Sequence, residues 1–230
     1  MNLLSIILLF GSVMAGGFLV DFFNIKKNKN IQLLLTFSGA YLLAISLLHL
    51  IPELFSNKNT TSIGLLVLIG FLIQIILEFF SQGIEHGHLH KENSITFSVL
   101  ISLCLHALLE GIPLAGDLHY HHHNSLLTGI VLHKIPVSIV LMTFFLKSKM
   151  SKQKAYSLLI LFALMSPIGV FAGNLLSLIG NYQREITAIV TGIFLHISTT
   201  ILFESTNTHE FSVQKILAII TGALIVFLSL

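Results

Sequence analysis

Charge and cysteine are what this chain has least of. Only 10% of its 230 residues are charged, against about 25% in an ordinary soluble domain. With 54% hydrophobic residues and a mean hydropathy of +0.91, the composition is that of a membrane protein and leaves no room for a separate soluble domain. Cys104 is the single cysteine, which excludes an internal disulfide and any cysteine-built metal cluster. The net charge of +2 comes from dispersed basic residues and gives no footprint for nucleic acid. No G-x-x-x-x-G-K-[ST] loop is present, so nothing in the chain argues for ATP binding. H-E-x-x-H is missing too, and alternating strand patterns are absent.

What is present is a series of apolar runs. A spanning helix needs roughly 20 apolar residues. Eight such runs are expected, at approximately 3–23, 31–55, 62–82, 95–116, 125–147, 156–180, 186–205 and 212–230. The predicted fold is an all-α polytopic bundle, a single transmembrane unit over residues 1–230. The apolar start, Met1 to Val20, lacks a basic leader and is expected to be a span rather than a cleaved signal. Basic residues near span ends favour the cytoplasm. Lys26, Lys27, Lys29, Lys91, Lys147, Lys149, Lys152, Lys154 and Lys215 flank one side, with Lys58 and Arg184 on the other. Both termini are therefore expected outside the cytoplasm, with the 83–94 loop inside and the 116–124 loop outside.

Lys134 fits neither side, because it lies within a span. Ionisable groups at that depth cost about 2.5–3.5 kcal/mol each on insertion scales, and spans four and five hold His106, Glu110, His133 and Lys134. His106 and Glu110 are one turn apart on one helix face, and His133 on the antiparallel span five is within reach of the same centre. Pro113 and Pro136 follow Glu110 and His133 by three residues, freeing the carbonyls of Leu109 and Leu132 beside these side chains. Irregular backbone at membrane depth points to a substrate site. Two imidazoles and a carboxylate suit Zn²⁺, and also Fe²⁺, Mn²⁺ or Cd²⁺. Cys104 lies about 200° round the helix from His106 and is expected to point away.

Two histidine-bearing segments flank this region. Asp117 is seven residues beyond Glu110, and His119, His121, His122 and His123 follow it in the outer loop, a cluster suited to weak metal capture. His49 and Glu53 end span two on the same side. Together these residues are expected to line an entrance. Glu85, His86, His88 and His90 form an inner cluster after span three. Glu78 and His196 are each expected to serve helix packing as lone hydrogen bonders.

The stretch from His106 to Gly111, with His133-Lys134-Ile135-Pro136-Val137-Ser138, resembles the fourth and fifth helices of the ZIP family of divalent-metal transporters. His49 to Glu53, Ser166 to Gly169 and Gly192 to Leu195 are similar to further ZIP segments. The likeness extends over all eight spans. It implies a metal importer with both termini outside, in which His106, Glu110 and His133 are ligands of the transport site and the inner histidine loop handles or regulates metal. It also implies alternating access, with spans four and five and their neighbours one and six moving against spans two, three, seven and eight. Some members hold two metals, and the positions matching the second-site ligands are here Ala107, Lys134, Val137 and Ser166. None is a carboxylate, so the expected site is mononuclear, with the Lys134 ammonium standing in for the second metal. Zn²⁺ is then substrate rather than cofactor, and no organic cofactor is expected. A bacterial inner membrane is the expected location, and a homodimer is left open. An intramembrane zinc hydrolase and a non-conducting metal sensor are the rival readings.

Overall fold

The protein is described here from a computed structural model, which covers residues 3–23, 29–56, 60–83, 97–115, 120–148, 150–179, 182–204 and 212–229. Among the described residues the regular structure is helical: α1 (Leu3–Phe23), α2 (Lys29–Ile45), a π-helical turn (Ser46–Leu50), α3 (Ile51–Phe55), α4 (Thr60–Ser81), α5 (Phe97–Gly111), a 3₁₀ turn (Ile112–Ala115), α6 (Tyr120–Lys147), α7 (Lys152–Ile179), α8 (Gln183–Glu204) and α9 (Val213–Phe227). Among the described residues, seven helical stretches are long and apolar enough to cross a membrane, and α9 is a shorter apolar helix. The chain is an integral membrane bundle of eight helical passages.

Three details differ from the sequence reading, each for a local reason. The second passage is one helical stretch from Asn30 to Phe55, but a π turn carrying His49 interrupts its α-helical winding just before Pro52, where the altered winding accommodates the N–H that proline lacks. The fourth passage narrows to 3₁₀ at Pro113, the tighter winding that absorbs the bond this proline removes. The fifth begins at Tyr120 rather than 125, since no Gly or Pro intervenes, so His121, His122 and His123 belong to its first turn and not to a loop. Pro136 and Pro167, by contrast, lie inside α6 and α7 without ending them, as packed membrane helices allow. α4 stops where Gln82 and Gly83 take φ values of 55° and 67°, the left-handed turn that closes many helices.

Packing divides the helices into two sets. The most extensive contacts join α1 to α6, α5 to α7, α4 to α8 and α2 to α9, and α1 also packs on α7 and α2 on α8. One set is thus α1, α5, α6 and α7 and the other α2, α4, α8 and α9, and the two meet where α2 packs on α6 and α4 on α5. Glycine permits the closest approaches, since lipid tails are as apolar as leucine and van der Waals fit drives association. A Cβ on Gly169 would stand 2.0 Å from the Leu108 carbonyl oxygen, and one on Gly192 1.9 Å from that of Val67. Outward faces are apolar: Leu65, Leu68, Leu72, Ile76 and Phe79 of α4, and Leu217, Ile220 and Leu224 of α9, are exposed. α6 is the most enclosed of the spanning helices.

Side-chain links mark the two ends of the bundle. Lys152 pairs with Asp21, joining the start of α7 to the end of α1. At the opposite end Arg184 donates to the Leu54 carbonyl through Nε at 3.1 Å and Nη2 at 2.7 Å, and Gln183 donates to the Pro113 carbonyl at 3.1 Å. Among the described residues, Lys29 opens α2, Lys147 closes α6, Lys152 and Lys154 lie in the first turn of α7 and Lys215 in that of α9, helix ends that the alternating course of the passages brings to the side of Asp21 and Lys152.

Candidate metal centre

Glu110 is the hub of the buried polar groups. It lies one turn from His106 on α5, and its Oε2 is 3.5 Å from His106 Nε2. Its other oxygen, Oε1, forms an ion pair with Lys134 of α6 and is 3.1 Å from the Ser166 hydroxyl of α7. That hydroxyl is also 2.6 Å from the Ala107 carbonyl; having one proton, it can donate to one of these acceptors at a time. The Lys134 ammonium stands 4.9 Å from the centre of the Phe162 ring, within cation–π range. Its single charge is thus met by a carboxylate on one helix and an aromatic face on another.

His133 reaches the group from α6. Its ring meets that of His106 edge-on, with centroids 6.3 Å apart and planes at 87°. His106, Glu110, His133 and Lys134 are each at most 2% exposed, so the cluster is sealed within the bundle. Nδ1 of His106 is buried and meets no hydrogen-bond partner among the described residues. As the side chains are placed, no three His, Cys, Asp or Glu residues among those described stand close enough to hold one ion. Glu110 Oε1 is fixed by Lys134 and Ser166.

Backbone proximity sets this geometry. Gly111 on α5 would place a Cβ 2.3 Å from the Ser166 carbonyl oxygen, and Gly173 would place one 2.5 Å from that of Ile112. α7 therefore lies close enough to α5 for a side chain as short as serine to bridge to Glu110. Ser166 and Gly169 lie against α5, and Gly173 against the 3₁₀ turn that follows it.

The peripheral residues divide into those described and those not. His49 is 2% exposed within the π turn, and Glu53 is partly buried with Oε2 shielded from solvent. Both belong to the end of the bundle that holds Arg184. Asp117, His119, Glu85, His86, His88 and His90 lie outside the described residues, as do the side chains of His121, His122 and His123. Phe162 was not among the expected site residues; one turn from Ser166 on the same face, it read as ordinary lipid or core surface. Glu78 and His196, expected to act singly, are in contact with each other.

A family model described as ZIP Zinc transporter matches residues 81–230. That range includes every residue of the Glu110 cluster. Among curated proteins, none matches the chain.

Proposed function

The chain belongs to the ZIP zinc transporter family, a family of transporters and not of enzymes, and from that premise we propose that it imports Zn²⁺ into the cytoplasm through a mononuclear site of His106, Glu110 and His133. The observation that carries this reading is the division of labour on Glu110. Oε1 is taken by Lys134 and Ser166, while Oε2 faces His106. Lys134 provides a positive charge where some members have a second metal, and leaves one carboxylate oxygen and two imidazoles for a single ion. This N₂O set favours Zn²⁺ and also accommodates Fe²⁺, Mn²⁺ and Cd²⁺.

Transport proceeds by alternating access. α1, α5, α6 and α7 carry the site and move against α2, α4, α8 and α9, with the contacts of α2 on α6 and of α4 on α5 remade at each step. The separation of the packing into these two sets supports the grouping. Metal enters at the end bearing His49, Glu53, Asp117, His119, His121, His122 and His123. It leaves at the lysine-rich end, where Glu85, His86, His88 and His90 regulate flux. The termini then lie outside the cytoplasm, in a bacterial inner membrane.

Lys134→Asp tests the surrogate-cation role. Restoring a carboxylate should raise the metal bound at the Glu110 cluster from one equivalent to two, and should change transport. Stoichiometry held at one, with unaltered transport, would refute it.

A further inference from the structure

Lys134 is among the largest side chains that the bundle buries completely, and it is charged. An ammonium has three N–H donors, and a charge taken out of water is costly unless it is paired and its donors are met. Glu110 Oε1 supplies the ion pair. Beyond that carboxylate, no hydrogen-bond acceptor among the described residues meets Lys134 Nζ. Two neighbouring hydroxyls are committed to other groups. Ser138, one turn on along α6, donates to the Ile135 carbonyl at 2.8 Å, and Ser166 lies between the Ala107 carbonyl and Glu110.

What covers the rest of the ammonium is the face of Phe162, with Nζ 4.9 Å from the ring centre. The face carries the negative lobe of the ring quadrupole, and its pull on a cation is strongest where water is excluded. Here both partners are 1% exposed. Phe162 and Ser166 are one turn apart and share a face of α7. They meet the two members of a single ion pair, the ring touching the ammonium and the hydroxyl the carboxylate. Gly169, less than a turn further on, holds the α7 backbone against Leu108, so the register that seats the hydroxyl also seats the ring.

The position of Nζ matters because Glu110 has two oxygens and the proposed ion needs one of them. An ammonium tied to the carboxylate alone is free to slide between the oxygens. Bridging both, it would occupy Oε2 and repel a divalent cation there. A second attachment, from α7, removes that freedom.

We propose that Phe162 is a positioning residue of the metal centre, whose ring face holds the Lys134 ammonium on Glu110 Oε1 and so keeps Oε2 open for the divalent cation. Its role toward the ion rests on the reading of His106, Glu110 and His133 as the transport site; its hold on Lys134 does not.

The test replaces Phe162 in the full chain with mono-, di- and trifluorophenylalanine. Fluorine withdraws electron density from the ring face at nearly constant volume, so packing is kept while the attraction for a cation falls. Two quantities are read in detergent: the thermal midpoint without metal, and the Zn²⁺ affinity of the equivalent that His106→Ala removes. Both are expected to fall stepwise with fluorination, the affinity by about fivefold or more at the trifluoro ring. In Lys134→Met, which keeps the apolar stem without the charge, the midpoint should not respond to fluorine. A midpoint and an affinity that both stay flat overturn the proposal and leave the transport site standing. A midpoint that falls equally in Lys134→Met traces to packing and also overturns it. A falling midpoint with flat affinity makes the ring a prop for Lys134 alone and overturns its part in metal binding. A falling midpoint in a chain without His106-dependent zinc retains the hold on Lys134 and overturns the transport-site reading.

Discussion

Gly169→Ala should weaken zinc binding at the proposed centre without altering any of the proposed ligands, His106, Glu110 and His133. Its new Cβ would stand 2.0 Å from the Leu108 carbonyl oxygen and 3.3 Å from Gly111 Cα. Both are backbone atoms, so no side-chain rotation relieves the overlap. α7 must retreat from α5 by about 1 Å to restore van der Waals contact, and overpacking of this kind costs about 1–3 kcal/mol. Ser166 is less than one turn away, with its hydroxyl 3.1 Å from Glu110 Oε1 and 2.6 Å from the Ala107 carbonyl. A retreat of about 1 Å carries the first contact beyond hydrogen-bonding range. A hydrogen bond to a charged group contributes about 1.5–3 kcal/mol, so zinc affinity should fall roughly tenfold or more. Gly11→Ala is the control: a Cβ there meets nothing within 4 Å, and alanine is the better helix former by about 1 kcal/mol. Thermal midpoints in detergent, with zinc titrations of both variants, check this. Gly169→Ala that is as stable and binds as tightly as Gly11→Ala would refute the claim that close backbone approach holds Glu110 in place.

Two further outcomes separate the parts of the site. Ser166→Ala removes the hydroxyl without adding bulk, and should lower zinc affinity roughly tenfold while leaving the thermal midpoint within a few degrees of wild type; an unchanged titration would deny Ser166 its role in positioning Glu110. The triple variant His86→Ala, His88→Ala, His90→Ala should relieve or shift inhibition by accumulated metal while uptake persists, measured as influx against internal zinc. Complete loss of uptake at normal expression would contradict a regulatory role.

Hydropathy made the eight passages legible, because roughly 20 apolar residues are both the signal and the physical requirement. The gathering of His106, Glu110, His133 and Lys134 was legible for a related reason: helical spacing places the first two on one face, and hydrocarbon forbids leaving the others alone. The backbone irregularities were not. Four prolines read alike in sequence, yet Pro52 follows a π turn, Pro113 tightens a helix to 3₁₀, and Pro136 and Pro167 do neither. The pairing of Glu78 with His196 was hidden because 118 residues separate them; only the glycine-mediated contact of α4 with α8 brings them together. Phe162 escaped notice because an apolar aromatic in an apolar helix carries no signal until a cation is found over its face.

Uptake of ⁶⁵Zn²⁺ into proteoliposomes by wild type, His106→Ala, Glu110→Ala and His133→Ala tests the central claim most directly. Saturable accumulation in wild type, abolished by each substitution, is the predicted result. Zinc that binds wild type at equilibrium but never accumulates inside sealed vesicles would contradict it, and would make these residues the holders of a resident ion.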